Sequence, residues 1–490
     1  MKPLSRRKFL TGSATSLAAA GLSTSFSNHA WAQSRGANDD IRIGIVGVGW
    51  KGGDQIKVFN ELKGCRIVAL CDVDQLHLDE EVENFKKRHQ QVKTYRDIRN
   101  LLDDKEVDAI VISTPNHWHA LITIWACQAG KDVYVEKPVC HDIWEGQRML
   151  EAEKKYGRII QGGTQNRSND AFKEGLEYLR GGDLGKILWI HGIDYKYRKS
   201  LGKARGPQRI PPTVDYDLFQ GPARMQPLNR LKLHYDWHWM WETGNGDIGN
   251  IAAHTIDNLR HIMGDDRQPD RVMSLGGRFV YDDDGETPNE LLACFDYGGL
   301  PAFSEIRNIP HKPGVDYMDN LRDSRESCIV QCEEGYMNLG TGGTAYSNDG
   351  KRIKGFHGNG VKEHAANFIK AVRHQDSSLL NCPLKVAVQA GELFHMANLS
   401  HRSGFPASLK GIRDRIGGSE AGKAAIESIR GNLTRNGVDL DQDQLTLGSW
   451  MSLEDQGTRL KVHNPESQLV AQALFKPRHY RKPFVVPKKV

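Results

Sequence analysis

The chain has 490 residues, of which 39% are hydrophobic and 26% charged, the balance of a globular protein with a real core and length for two domains or more. Its formal charge of +5 falls to near neutrality once Lys2, Arg6, Arg7 and Lys8 are set aside, so charge gives no support for a nucleic-acid partner. No long apolar run follows the first forty residues, and no membrane span is expected in the mature chain.

Residues 5–10 read SRRKFL, followed by a mildly apolar stretch and then Ala30-Trp31-Ala32. Charged region, weak hydrophobic region and small-residue cleavage site come in the order of an export signal. Arg6-Arg7 before Lys-Phe-Leu resembles the twin-arginine type, which implies passage of a folded protein through that export machinery into the periplasm. Residues 1–32 are therefore read as a signal peptide. None of the eight cysteines forms a CxxC pair, and several sit in apolar runs, so free core thiols are expected rather than disulfides, Cys328 and Cys332 included.

Residues 40–165 alternate short Val/Ile runs with amphipathic stretches: IRIGIV, CRIVALC, DAIVIST, DVYV and RIIQGG as strands, with helices between them. That alternation predicts a parallel sheet covered on both faces, an α/β Rossmann domain, with its site at the carboxyl ends of the strands. Between the first strand and its helix stands Gly47-Val48-Gly49-Trp50-Lys51-Gly52. Gly47 permits a tight turn, Gly49 leaves room for a pyrophosphate, and Gly52 lets helix and strand approach closely. Asp72 ends the second strand, where a carboxylate accepts hydrogen bonds from a ribose and repels a 2′-phosphate. The expected cofactor is NAD, with NADP as second choice.

Two further signals follow in order: Thr114-Pro115-Asn116 after the third long strand, and Glu136-Lys137-Pro138 after DVYV. Together with the glycine loop and Asp72, they resemble the glucose-fructose oxidoreductase / inositol dehydrogenase / rhizopine catabolism (Gfo/Idh/MocA) family over about residues 41–400. Physically, an ammonium at Lys137 beside the nicotinamide position can polarise a substrate oxygen. The resemblance implies a cis Lys137–Pro138 peptide and a cofactor contact from Asn116. It also brings Glu136, Gln165 and Arg167 toward the nicotinamide side. His117 and His119 lack a carboxylate or cysteine at ligand spacing. They are read as non-metal residues, with His119 set near the cofactor, and no metal is expected.

Residues 166–404 change in texture to longer strands. The resemblance implies an α+β domain with a large, mostly antiparallel, open-faced sheet for substrate binding and subunit contact, and a homodimer or homotetramer. Its motif lies in WHWMWETGNGDIGNIAAHTIDN, where family members carry Asp-x-x-x-His on a helix after a Gly-rich turn. Here Asn250 stands in place of the aspartate, and His254 keeps the acid/base position four residues on, on the same face. Asp247 and Asp257 are the nearby carboxylates that could supply the missing charge. Tyr235, Trp237, Trp239 and Trp241 crowd just ahead of this helix and suggest a carbohydrate, with Tyr195, Lys196 and Arg198 on the same pocket. Residues 405–490 exceed the family's usual core and are read as an extension without assigned chemistry.

The expectation is a periplasmic NAD(P)-dependent oxidoreductase with tightly held cofactor. It would move hydride between a CH–OH carbon of a sugar or sugar derivative and nicotinamide, with Lys137, Asn250 and His254 as the catalytic set. The rivals are an NAD-dependent glycoside hydrolase or epimerase with no net redox change, and a non-catalytic sugar or nucleotide sensor.

Overall fold

Short strands buried on both sides organise the first half of the chain. A computed structural model describes residues 40–416, 420–442 and 444–490; the signal expected at 1–32 lies outside the described residues. In chain order the first elements are β1 (Ile41–Val46), α1 (Trp50–Asn60), β2 (Cys65–Cys71), α2 (Gln75–Lys87), β3 (Lys93–Tyr95), α3 (Ile98–Asp103), β4 (Ala109–Ile112), α4 (Asn116–Gln128), β5 (Asp132–Val135), α5 (Ile143–Tyr156) and β6 (Ile160–Gly162). The six strands form a parallel sheet in the order β3-β2-β1-β4-β5-β6. Strand order reverses between β1 and β4, and a crevice opens there at their carboxyl ends. Aspartates cap three of the helices: Asp74 starts α2, Asp97 starts α3 and Asp142 starts α5, each accepting an amide of the first turn.

The second half adds α6 (Asp170–Gly181), β7 (Ile187–Tyr195), α7 (Tyr216–Gln220), α8 (Gly246–Asn250), α9 (Ala252–Met263), β8 (Arg271–Gly277), β9 (Glu290–Tyr297), β10 (Leu300–Arg307), β11 (Glu326–Cys332), β12 (Gly335–Leu339), β13 (Gly343–Ser347), β14 (Arg352–Phe356), α10 (Val361–His374) and α11 (Leu384–Arg402). The region after residue 404 contributes β15 (Phe405–Ala407), α12 (Leu409–Ile416), α13 (Glu420–Arg435), β16 (Leu445–Leu447), β17 (Met451–Glu454), β18 (Arg459–Val462) and α14 (Pro465–Phe475). A twelve-stranded sheet results, in which β7 and β10 run parallel and the other pairs antiparallel. One face buries α6, α9 and α11 around Phe172, Ile256, Leu259 and Phe394. Across part of the other face lie α12 and α13, setting Ile412, Ile426, Ile429 and Leu433 on Met273, Leu275, Leu292 and Phe303.

The two halves interlock. Ala365, Phe368 and Ile369 of α10 complete the core around Ile43, Phe59 and Tyr134 on one side of the first sheet. Leu384 and Val388 of α11, with Phe484 and Val486 of the tail, complete the core on the other, against Trp118, Val133 and Ile160. Helix α4 is almost wholly buried as a result. All eight cysteines are free and buried. Among the described residues no helix is long and apolar enough to cross a membrane.

Candidate active site

The crevice at the β1/β4 reversal is a cavity of about 560 Å³ that runs from the glycine loop to the start of α9. Gly47 turns the chain at φ 78°, and a Cβ there would lie 2.8 Å from the Ser113 carbonyl oxygen. At Gly52 a Cβ would overlap the Gly47 carbonyl, so this glycine does not line the cavity; it sets the close approach of α1 to β1. The atoms nearest a Cβ at Gly49 belong to the His77 ring, 3.1 Å away. Helix α1 begins with no side-chain cap, which leaves its first amides for an anion. Trp50 and Lys51 flank this end, Trp50 largely exposed and 5.4 Å from the Tyr235 ring.

Asp72 ends β2 with Oδ2 accepting from the Val48 amide at 2.8 Å and Oδ1 accepting from the Asp74 amide at 2.9 Å. Those bonds fix the carboxylate at the ribose end of the crevice. On the opposite wall the hydroxyls of Ser113 and Thr114 are buried without a hydrogen-bond partner among the described residues, and both line the cavity. Buried orphan hydroxyls, an uncapped helix start and a fixed carboxylate after the second strand are what a dinucleotide would satisfy, so the residues present fit NAD.

At the far end, β5 delivers Glu136 and Lys137, and the Lys137–Pro138 peptide is cis. Lys137 Nζ donates to the Asn250 carbonyl oxygen at 2.7 Å and to Asn250 Oδ1 at 3.3 Å. Asn250 Nδ2 donates to Asp247 Oδ1 at 2.9 Å, and Arg198 clamps Asp247 with two bonds of 3.0 Å. The buried charge behind the asparagine is thus Asp247, held ionised because Arg198 outweighs the cost of its burial. Asp257 lies elsewhere, paired with Arg167. Burial brings the Lys137 ammonium down to about 8, against the opposing pull of Glu136. His254 enters the same cavity from the first turn of α9, and among the described residues its ring nitrogens have no hydrogen-bond partner. Burial, with the charges of Lys137 and Lys51, holds its pKa well below the usual histidine range. The helix carrying Asn250 and His254 is broken once, at Ile251, between α8 and α9.

Several expected site residues stand elsewhere. Arg167 is 5% exposed and forms ion pairs with Asp257 and Asp265, so its charge is spent inside the second domain. Gln165 sits behind Glu136, donating to it at 3.3 Å and to the Tyr134 hydroxyl at 3.2 Å. Tyr195 turns to the other side of its sheet, with its hydroxyl on Glu305 and Arg307 over its ring. Trp239 is buried and supports Arg198, whose guanidinium lies 5.3 Å from its ring centre. Pro115, Asn116, His119, Arg198 and Trp237 do line the cavity. Asn116 bonds Asn245 at 2.8 Å, and Asn245 in turn bonds His141 and is held by Asn398, making it a buried hub between the domains. Both ring nitrogens of His119 face carbonyl oxygens, those of Pro138 and Thr114, and both of His117 face those of Thr243 and Phe219.

Residues not singled out in the sequence also reach the cavity: Val73, His77 and Arg96 at the ribose end, His234 and His238 from the segment before α8, and Glu326 at the start of β11. They come from six separate places in the chain and share no motif or spacing that would set them apart. The segment 196–245 crosses from the second domain onto the first. It is pinned there by Gln75 N to Thr213 O at 3.0 Å, by Asp215 N to Val73 O at 2.9 Å, and by Arg96 bridging Val73 O and Thr213 O.

Residues 41–164 match an oxidoreductase family described as an NAD-binding Rossmann fold, and residues 184–277 match that family's C-terminal alpha/beta domain. The first domain is thus an NAD-binding Rossmann domain. Inositol 2-dehydrogenase of Salmonella typhimurium is 29% identical over 180 residues, 36% of this chain and 52% of that protein. A glycosyl hydrolase family 109 protein of Shewanella pealeana is 30% identical over 172 residues, 33% of this chain and 38% of that protein. The chain spans about half the length of the inositol 2-dehydrogenases it matches. Among solved structures, the WlbA dehydrogenase of Bordetella pertussis in complex with NADH and UDP-GlcNAcA shares the fold. Its TM-score is 0.55 at 19% identity, over 73% of this chain and 95% of that one. Biliverdin reductase from Synechocystis sp. PCC 6803 gives a TM-score of 0.53 at 15% identity, over 73% and 97%.

Proposed function

The chain belongs to the Gfo/Idh/MocA oxidoreductase family, and from that premise we propose a periplasmic enzyme that oxidises a CH–OH carbon of a sugar or sugar derivative with tightly held NAD. The observation that carries this reading is the convergence of Lys137, Asn250 and the unpartnered His254 ring on one end of the dinucleotide crevice. When bound, NAD supplies the acceptor for the hydrogen and electron pair that leave the carbon. Lys137 directs its ammonium at the substrate oxygen and steadies the charge that grows there. Asn250 holds that ammonium by two acceptors and is itself held by Asp247, so the cation keeps its place without a direct carboxylate partner. His254, neutral near pH 7 and free at its ring nitrogens, accepts the hydroxyl proton. Trp237 and Tyr235 offer ring faces for a sugar's C–H surface, and Lys196 and Glu326 offer polar contacts at the rim. The inositol 2-dehydrogenase relative supports a polyhydroxylated substrate.

Periplasmic placement rests on SRRKFL and Ala30-Trp31-Ala32. A cofactor loaded before export must be regenerated in place. The glycosyl hydrolase family 109 relative supports a second reading with the same residues, in which a sugar is oxidised transiently, cleaved and reduced again. Mass spectrometry of small molecules released from the purified exported protein, then product analysis on a panel of sugars and glycosides, tests both. Bound NAD with a keto-sugar product supports the dehydrogenase, and released aglycone with unchanged NAD supports the second reading. A protein that carries no nicotinamide nucleotide and binds none on titration overturns both.

A further inference from the structure

At the ribose end of the crevice, three side chains from separate segments converge. Asp74 follows β2 and caps α2 through Oδ1, which accepts the Leu76 amide at 3.1 Å; its carboxylate also accepts from the Thr213 side chain. His77 lies in the first turn of α2, and His234 arrives on the segment that crosses from the second domain. His234 Nε2 is 2.9 Å from Asp74 Oδ2, and His77 Nε2 is 4.0 Å from the same oxygen. One ligand atom from each residue lies within 4.8 Å of the others, and the two imidazole rings stand 4.8 Å apart, centre to centre. Asp72 Oδ2 lies 3.8 Å from His77 Nδ1, the place of a carboxylate that orients a metal-binding histidine from behind. Nothing in the proposed reaction uses this cluster.

We propose that Asp74, His77 and His234 bind a divalent transition-metal cation of the zinc class that ties the crossing segment to the nucleotide domain. Two imidazoles and one carboxylate form a set that suits zinc, whereas magnesium and calcium prefer oxygen donors alone. Around tetrahedral zinc such donors stand about 3.3 Å apart, so the site closes when the His77 ring swings inward from 4.0 Å and the 2.9 Å contact of His234 with Asp74 opens slightly. The frame is already rigid: the Asp74–Val214 β-bridge and the paired bonds of Gln75 and Asp215 hold the two segments in register. His77 and His234 also line the cavity, which turns the fourth coordination position toward the crevice, open to water or to an oxygen of a bound ligand. A metal here would add a bond across the entrance to the adenosine end.

The site does not rest on the reaction proposed above, and its test needs neither cofactor nor substrate. Chelator-treated mature protein is titrated with zinc by calorimetry and its zinc content measured after dialysis. Cobalt(II) is then used as a spectroscopic probe. The expected result is about one zinc per chain and a tetrahedral cobalt spectrum. His77→Ala and His234→Ala should each weaken zinc at least tenfold. Asp74→Asn preserves the helix cap, since asparagine caps as well as aspartate, and should also weaken zinc and alter the cobalt spectrum. Zinc should raise the thermal midpoint of the parent and leave that of the variants unmoved. No bound zinc in the parent, or zinc binding by folded Asp74→Asn and His234→Ala as tight as the parent's, overturns the proposal. Loss of NAD binding with zinc retained would count against the proposed reaction alone.

Discussion

Lys137 and His254 face one cavity, and burial acts on both by disfavouring charge. His254 is therefore a neutral acceptor across the neutral range, while Lys137 stays mostly charged until about pH 8. If Lys137 works as a cation, activity should be level through neutrality and fall above about pH 8 as that proton is lost. Lys137→Arg keeps its charge at every accessible pH. It should move the alkaline limb upward even while it lowers kcat, and a pH–rate profile of both proteins reads this. His254→Ala should cut kcat/KM by roughly 10²–10⁴ with bound NAD unchanged, as loss of a general base does. Gly47→Ala would place a side chain at φ 78° and against the Ser113 carbonyl, so it should lower NAD content in the purified protein. The residues that sequence located best were those whose job is local: a turn at Gly47, a strand end at Asp72, the cis step at Lys137. Those it misplaced, Arg167 and Tyr195, have distant buried partners in Asp257 and Glu305 that no short motif reveals. His234 and Asp74 are 160 positions apart, and only the folded chain brings them together.

Helix α13 shows how an element can escape notice. Ala425, Ile426, Ile429 and Leu433 stand at helical spacing, yet the strands around it, β15 to β18, are three or four residues long. Strands so short do not show the alternation that revealed β1 and β4, and residues 405–490 read only as an extension without assigned chemistry. Part of the sheet face expected to be open carries α13, over β8, β9 and β10. Ile429, fully buried, should cost about 2–5 kcal/mol when changed to Ala, read as a lower denaturant midpoint. The same contact includes Glu290 on β9, whose Oε2 accepts from Asn432 of α13 at 3.3 Å. Burial lifts Glu290 from 4.5 to about 8, while Arg307 pulls the other way. Between those values the unfolded chain has shed the proton that the folded chain keeps, so this group's contribution to stability declines as pH rises. Glu290→Gln should remove that decline. Unfolding free energies of parent and variant between pH 5 and 8 should diverge by at most about 1.4 kcal/mol per pH unit, with the parent losing.

Over the whole molecule, the first sheet does not own a self-contained core. The alternating pattern of residues 40–165 revealed the nucleotide sheet but not what covers it, because the covering residues lie in α10, α11 and the final segment. Phe484 is 1% exposed and meets Trp118 edge-on at 5.3 Å between ring centres. Nearby, Arg478 bonds His141 and Glu242, and Tyr480 donates to Glu145 at 3.0 Å. Phe484→Ala should cost about 3–5 kcal/mol and reduce NAD retention, since Phe484 packs on Trp118, which lines the crevice; thermal midpoint and bound nucleotide measure the two effects. The position of Phe484 also sets an order of events. A ribosome finishes the six parallel strands long before it reaches this residue, and until then Trp118 and Trp125 lack the ring that packs against both. The first domain to be made is the last to be sealed, and a chain broken off early cannot pass for a finished one.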